Sequence, residues 1–113
     1  MFIENKQDGL IYMSSEKIGA RHAFTTRHGG VSGGIFSSLN LGSNRGDEPE
    51  AVRENYRRLC ALMGVDIDGC AVTKQVHENV VRIVDKSDKH LCMSEVPYEA
   101  DGIVTTERGL PII

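Results

Sequence analysis

The residue types best able to do chemistry in this 113-residue chain are concentrated in one stretch, residues 25–47. It reads TTRHGGVSGGIFSSLNLGSNRGD and contains six glycines and four serines, with Arg27 and Arg45 near its two ends. Backbone N–H groups outside a strand ladder can form an anion-binding nest, and a guanidinium pairs with phosphate or carboxylate in a bidentate manner. The pattern is compatible with a phosphate site, whereas composition alone favours a solvated surface loop.

A formal G-x-S-x-G match lies inside this stretch, as GVSGG at residues 30–34. A hydrolase nucleophile elbow requires a strand that leads directly into the serine and a helix that leaves it. The sequence that follows, GIFSSLNLGSNRG, shows no helical periodicity, so we interpret Ser32 as a turn residue. Neither of the glycine-rich patterns typical of nucleotide-binding loops, G-x-x-x-x-G-K-[ST] and G-x-G-x-x-G, is present.

Histidines and cysteines are the remaining candidate metal ligands and bases. Among them His77 stands out, because the motif QVH places it between two valine-rich pieces, where a fixed ligand or base can sit. The odd number of cysteines and the lack of a C-x-x-C pair argue against a disulfide framework or a self-contained structural zinc site. We interpret the others as structural or incidental: His22, His28, His90, Cys60, Cys70 and Cys92.

The elements that must position these residues are short strands around one helix. Strand patterns occur at residues 9–13 and 20–26, in two pieces within 70–85, and at 102–106, followed by a turn and the start of another strand. The valine-rich piece after His77 indicates a strand partly buried on both faces. This order predicts an α+β fold with a mixed β-sheet packed with helices, in a single domain spanning residues 1–113.

The strongest helix signal is DEPEAVRENYRRLCALMG, residues 47–64. Asp47 is the predicted N-cap, with Glu50 completing a capping box, Pro49 in the first turn and Gly64 as the stop. On the outer side Glu54 can pair with an arginine four residues later. The predicted apolar face, repeating at helical spacing, comprises Val52, Tyr56, Leu59, Cys60 and Met63.

Composition and charge limit the class of protein. The net charge of −3 gives no sign of the basic face that nucleic-acid binding demands. No window reaches the roughly 18 to 20 apolar residues needed to cross a bilayer. The N-terminus lacks the features of a signal peptide, so we expect a cytoplasmic protein without a membrane partner. The chain stops at GLPII on an apolar rise, from which we expect a chain cut inside a strand.

Four motifs then occur in the order and at the spacing found in a known family: TTRHGGVSGGIFSSLNLG, GDEPEAVRENYRRL, KQVHENVV and ADGIVTT…GLPI. From about residue 20 to its end the chain resembles the N-terminal part of the YfiH-like, or laccase-domain, family. That family is also called the peptidoglycan-editing-factor or polyphenol-oxidase-type purine nucleoside phosphorylase family. The resemblance implies an incomplete YfiH-like domain of α+β class.

The resemblance also implies an activity and a set of site residues. Such enzymes cleave adenosine, inosine and methylthioadenosine with phosphate and can deaminate adenosine. The resemblance implies a zinc ion with His77 as one ligand, while the A-D-C and A-H-A-G-W motifs that carry the other two ligands are absent from this chain. It implies active-site roles for Arg27 and Asn40. For phosphate or substrate binding the candidates are Arg27, Arg45, Asn40, Gly29 and Gly30.

Other functions stay open at this point. With one zinc ligand of three, the chain is expected to be inactive by itself and to require the missing half, in the same chain or from a partner, or a homo-oligomer. A non-catalytic module that binds anions or a partner through the glycine-rich stretch is one alternative. A polyphenol oxidase is another, although the sequence offers no cluster of copper ligands.

Overall fold

The computed structural model describes residues 1–89 and 95–113, so the predictions for His90 and Cys92 lie outside the described residues. The chain forms two compact units, Met1–Gly64 and Val65–Ile113. The first contains three strands and an α-helix, and the described part of the second contains two strands. The predicted α+β class is confirmed, and the single domain over residues 1–113 stays a prediction. No helix in the described part of the chain has the length and apolar character required to cross a membrane.

The first unit is built on an antiparallel sheet of three strands in the order β1 (Phe2–Gln7), β2 (Leu10–Ser15) and β3 (Phe24–Thr25). A two-residue turn joins β1 to β2, with positive φ angles of 51° and 84° at Asp8 and Gly9, as this type of hairpin requires. The predicted strand at 9–13 corresponds to β2. The one at 20–26 is reduced to two residues, and β1 escaped prediction because its sequence, FIENKQ, does not alternate cleanly.

One α-helix, α1 (Pro49–Met63), ends at Gly64, whose φ of 68° and bond to the carbonyl of Ala61 confirm the predicted stop. The predicted cap is wrong. The N-cap residue is Glu48, and it makes no side-chain capping bond. The Asp47 carboxylate instead accepts hydrogen bonds from the side chains of Ser32 and Asn40 as well as from the N–H of Glu48.

The buried face of α1 largely follows the predicted spacing, with Cys60 buried as expected. Leu62 takes the place predicted for Met63, which is only half-buried, and packs with Leu10 and Leu39 in a small core. The predicted pair between Glu54 and Arg58 is present at 2.9 Å. The unexpected member of the buried face is a polar residue, Asn55.

The second unit contains a parallel pair, β4 (Val81–Ile83) and β5 (Gly102–Val104). Its core consists of Ala71, Val84 and Leu110, and Cys70 is buried as well. The prediction of a strand buried on both faces is wrong, because every residue of β4 is exposed. In the described part of this unit β4 pairs with β5 alone, and an isolated parallel bridge between Ala71 and Ile112 is the further strand-like contact.

Candidate functional site

Arg27 and Asn40 line the same open concavity in the first unit, with a volume of about 370 Å³. The glycine-rich stretch folds back on itself between them, which brings together two residues 13 positions apart in the sequence. Its middle is a short 3₁₀ turn, Gly34–Phe36, with irregular backbone on either side, as predicted. The remaining residues around the concavity are Ile35, Phe36, Ser37, Ser38 and Leu39.

Backbone hydrogen bonds fix the position of Arg27. Its carbonyl oxygen accepts from the N–H groups of Ser38 and Leu39, at 2.9 and 2.8 Å. Its own Nε–H donates to the carbonyl oxygen of Ser37 at 3.0 Å. The two terminal nitrogens of the guanidinium make no hydrogen bond within residues 1–89 and 95–113. A guanidinium that is fixed through its Nε–H and has unoccupied terminal N–H groups at an exposed concavity is suited to bind an oxyanion.

Asn40 is held by its side-chain amide. The amide oxygen accepts from the N–H of Gly42 at 3.0 Å, and the amide nitrogen donates to Oδ2 of Asp47 at 3.1 Å. A side-chain amide has two N–H donors and an oxygen with two lone pairs. The amide nitrogen also donates to the carbonyl oxygen of Gly42, at 3.5 Å. One lone pair of the amide oxygen therefore remains available for a ligand, while these hydrogen bonds fix the direction in which the amide points.

Behind the concavity lies Asn55, fully buried on α1. Its amide oxygen accepts from the N–H of Val31, and its amide nitrogen donates to the hydroxyl of Ser32 and the carbonyl of Asn40, all at 2.8 Å. A buried amide that is fully hydrogen-bonded specifies one arrangement of the segments it joins. Asn55 was not among the predicted site residues, although its helical spacing from Val52 places it on the apolar face.

Ser32 and Asp47 complete this network. The Ser32 hydroxyl donates to Oδ2 of Asp47 at 2.5 Å, and Ser32 is buried next to a 3₁₀ turn, which agrees with its interpretation as a turn residue. The side chains of Ser32 and Asn40 lower the pKa of the Asp47 carboxyl. Burial opposes them, and the N–H of Glu48 adds to the lowering. Asp47 is therefore a carboxylate acceptor at neutral pH.

The two glycines proposed for phosphate binding pack against the chain's own backbone. A Cβ on Gly30 would lie 2.0 Å from the carbonyl oxygen of Ser38, and one on Gly29 would lie 2.5 Å from that of Gly9. Close packing of main chain on main chain accounts for both glycines. A role for them in phosphate binding stays a prediction. The same holds for Arg45, which is exposed and does not line the concavity of Arg27 and Asn40.

His77 belongs to the second unit, where it is exposed and has a φ of 61°. Its backbone N–H donates to Oδ1 of Asp101 at 2.6 Å. Its imidazole makes no hydrogen bond within the described residues, so either ring nitrogen is open to a metal ion. His77 therefore fits the chemistry of one zinc ligand. Residues 1–89 and 95–113 contain no group of three or more histidine, cysteine or acidic side chains that could hold a metal ion.

Asp101 is a second residue that the sequence analysis did not single out. Its carboxylate accepts from the backbone N–H groups of Val76, His77, Glu78 and Val80, at 2.6 to 3.3 Å. Burial raises the pKa of the carboxyl, but these four hydrogen bonds together outweigh burial, and the pKa lies below its usual value. The signal in the sequence was the ADG motif directly before a predicted strand.

His22 has the structural role expected of it. Its Nε2 accepts from the N–H of Ser15 at 2.8 Å, and its Nδ1 lies 2.7 Å from the carbonyl of Ala20. Both ring nitrogens are therefore engaged in closing the connection between β2 and β3, which leaves none for a ligand.

The chain is similar in sequence to known proteins. The family model for multi-copper polyphenol oxidoreductase laccase matches residues 21–113. A purine nucleoside phosphorylase of Corynebacterium glutamicum is 38% identical over 92 residues, which are 81% of this chain and 36% of that protein. Another, of Deinococcus radiodurans, is 38% identical over 104 residues, which are 90% of this chain and 37% of that protein. The chain thus spans little more than a third of the length of these curated relatives.

Two solved structures are similar to this chain in fold. The crystal structure of YlmD from Geobacillus stearothermophilus matches with a TM-score of 0.81 and 28% identity, over 99% of this chain and 43% of that one. Bacillus licheniformis YfiH matches in fold, with a TM-score of 0.59 and 22% identity over 74% of this chain and 31% of that one. The match to YlmD covers both compact units.

Proposed function

The chain belongs to the multi-copper polyphenol oxidoreductase laccase family, and we propose that the protein it represents is a purine nucleoside phosphorylase. Two relatives that are 38% identical to this chain carry that name. Because this chain spans little more than a third of their length, the activity is proposed for the full-length protein. The proposed substrates are adenosine, inosine and methylthioadenosine, with phosphate as the second substrate and with adenosine deamination as a further activity.

The observation that carries this proposal is the shared concavity of Arg27 and Asn40. Phosphorolysis needs an oxyanion held next to the anomeric carbon of a ribosyl group. Arg27 offers guanidinium donors that no described residue occupies, and Asn40 offers one lone pair of its amide oxygen to a hydroxyl or an N–H group of the nucleoside. These are the groups that binding a phosphate and orienting a nucleoside require.

The proposed reaction is a displacement at C1′ of the nucleoside. A phosphate oxygen bonds to C1′ as the C1′–N bond breaks, and the purine leaves with the bonding electron pair and takes up a proton. The transition state resembles an oxocarbenium ion, as in glycoside cleavage. Arg27 holds the phosphate in place and lowers the cost of its negative charge, while Asn40 fixes the orientation of the sugar or base.

His77 is proposed as one ligand of a zinc ion, which when bound supplies Lewis acidity or an activated water. The imidazole is exposed and open at both nitrogens within the described residues, which supports this role. His77 itself contributes a ring nitrogen at a backbone position that Asp101 fixes. Because residues 1–89 and 95–113 contain no group of three or more such ligands, the other ligands are proposed to come from the rest of the full-length protein.

The test is phosphate-dependent release of adenine from adenosine by the full-length protein. Arg27→Ala is expected to raise the KM for phosphate about tenfold or more, since hydrogen bonds to charged groups contribute about 1.5–3 kcal/mol. Arg53→Ala is the matched control, because Arg53 is an exposed arginine of the same unit and makes no ion pair in the described residues. An unchanged KM in Arg27→Ala would contradict the phosphate role, and an unchanged rate in His77→Ala would contradict the zinc role.

Oxidation of phenols is the second candidate, because the description of the matching family names that activity. Oxygen uptake by the copper-loaded, full-length protein with a phenolic substrate would favour it, provided that adenine release is absent. A non-catalytic anion-binding module would give a third pattern. It would bind phosphate in a manner sensitive to Arg27→Ala and yield neither product.

A further inference from the structure

We propose that Asp101 is the positioning residue for His77: its carboxylate fixes the backbone from which the imidazole projects. The function of this anchor rests on the proposed role of His77 as a zinc ligand. The anchoring itself rests on hydrogen bonds within the second unit and can be tested separately. Neither the family motifs nor the relatives' names assign Asp101 a role.

Four backbone N–H groups converge on the two oxygens of this carboxylate. Oδ1 accepts from Val76 at 2.9 Å and from His77 at 2.6 Å. Oδ2 accepts from Glu78 at 3.0 Å and from Val80 at 3.3 Å. Because Oδ1 binds the N–H groups of residues 76 and 77 and Oδ2 binds those of residues 78 and 80, the segment around His77 cannot rotate without losing at least one hydrogen bond. The carboxylate occupies the concave side of a loop that directs these four N–H groups inward.

Asp101 is itself held in place by main-chain bonds. Its N–H donates to the carbonyl of Val80 at 2.8 Å, next to the point where β4 and β5 begin to pair. The preceding residue, Ala100, donates to the carbonyl of Lys74 at 3.0 Å and accepts from the hydroxyl of Thr73. The QVHENV loop is therefore clamped at both ends by residues 100 and 101, and the Asp101 side chain fills its middle.

The backbone of His77 explains why such an anchor is required. Its φ of 61° lies in the left-handed region, which a residue with a Cβ seldom adopts. That conformation directs the side chain away from the loop's inner surface, and the imidazole is exposed. Without inward-pointing N–H partners the loop would lose the contacts that compensate for this conformation. The geometry thus links the Asp101 carboxylate to the direction of the His77 side chain.

An ionised carboxylate suits this position better than an amide. Four donors require acceptor-only oxygens, and asparagine would replace one oxygen with an NH₂ group facing two of the N–H groups. Asp101→Asn therefore keeps the size of the side chain and removes half of the anchor. Asp85→Asn is the matched control, because Asp85 also accepts a backbone N–H, from Ser87 at 2.8 Å, in another turn of the same unit.

The experiment measures hydrogen–deuterium exchange and Zn²⁺ affinity in the full-length protein. In Asp101→Asn we expect exchange at residues 76–80 to accelerate about tenfold or more, with the amides of Val84 and Ala71 unchanged as references. We expect Zn²⁺ affinity, by competition with a chelator, to fall by about 10- to 100-fold, as for residues that orient a metal ligand. Asp85→Asn is expected to leave residues 76–80 and Zn²⁺ affinity unchanged.

Three outcomes would overturn the proposal. The amides of residues 76–80 could be unprotected in the unmodified protein. Protection could be lost equally at Val84 and Ala71, which would indicate a general stabilising role. Zn²⁺ affinity could be unchanged in Asp101→Asn although His77→Ala abolishes it. If His77→Ala itself leaves Zn²⁺ affinity unchanged, the zinc role in the proposed function fails, and selective loss of protection at residues 76–80 still supports Asp101 as the anchor of His77.

Discussion

The side-chain amide of Asn55 donates a 2.8 Å hydrogen bond to the backbone carbonyl of Asn40, which joins helix α1 to one wall of the concavity. The same side chain binds the N–H of Val31 and the hydroxyl of Ser32, earlier in the glycine-rich stretch. One fully buried side chain therefore fixes two parts of a segment that has almost no regular structure of its own. Arg27 and Asn40 can face a common space because this segment is folded against α1.

Removing that side chain is expected to destabilise the first unit. Asn55→Ala removes the hydrogen bonds to Val31, Ser32 and Asn40, although the Ser32 hydroxyl keeps its bond to Asp47. The expected cost is about 1–3 kcal/mol for each buried group that stays unpaired. Urea unfolding of the full-length protein is the measurement, with a lower midpoint as the expected result. The exposed Arg53→Ala on the same helix is the control. Equal midpoints for the two variants would show that Asn55 does not hold the loop.

The close packing of the loop predicts different results for two neighbouring glycines. In Gly30→Ala the new Cβ would lie 2.0 Å from a backbone oxygen, so the loop must shift, and we expect a loss of about 1–3 kcal/mol. Gly33→Ala meets nothing within 4 Å and has an ordinary φ of −112°, so its stability should stay within about 0.5 kcal/mol of the original. Thermal unfolding of both variants checks this. Similar losses at the two positions would contradict the packing explanation.

The parts of the fold that could be predicted from sequence depend on local interactions. The helix ends at Gly64 because a left-handed C-terminal residue favours glycine, and Glu54 pairs with Arg58 because they are four residues apart. The predicted Asp47 cap failed for a nonlocal reason. Its carboxylate has partners at Ser32 and Asn40, far along the chain, which compete with the capping geometry.

The resemblance indicated the candidate residues of the concavity but not the residues that hold them in place. Arg27 and Asn40 followed from the resemblance, and the structure places them around one concavity. The residues that hold the candidate site residues, Asn55 and Asp101, bind backbone groups 15 or more positions away. Backbone groups are the same in every residue, so the ADG motif and the helical spacing of Asn55 can mark these two residues but cannot show which backbone groups they bind.

Asp47 is expected to influence catalysis through Asn40. Its carboxylate accepts from the Asn40 amide at 3.1 Å, and in Asp47→Asn an NH₂ group can face that amide, which frees Asn40 to rotate. We expect kcat/KM for adenosine to fall about tenfold, as the loss of a hydrogen bond to a charged group would give. Glu48→Gln is the control, since Glu48 is exposed and makes no side-chain capping bond. Equal kcat/KM values in Asp47→Asn and Glu48→Gln would contradict the link.

Glu54 gives a prediction about acid stability. Hydrogen bonds from Arg57 and Arg58 lower the pKa of its carboxyl to about 2, from an ordinary value of 4.5, although burial opposes them. A pKa depressed in the folded state stabilises it above the unfolded pKa, and this contribution is lost as the pH falls towards about 2. Urea midpoints should therefore be lower in Glu54→Gln than in the original protein near neutral pH, with the difference closing on acidification.

Glu16→Gln, at an exposed position without an ion pair in the described residues, is the control and should show no such pH-dependent change in the difference. Because Arg58 also donates to the carbonyl of Gly29 at 3.0 Å, acidification should loosen the glycine-rich stretch as well. A pH-independent difference between Glu54→Gln and the original protein would contradict this origin of the effect.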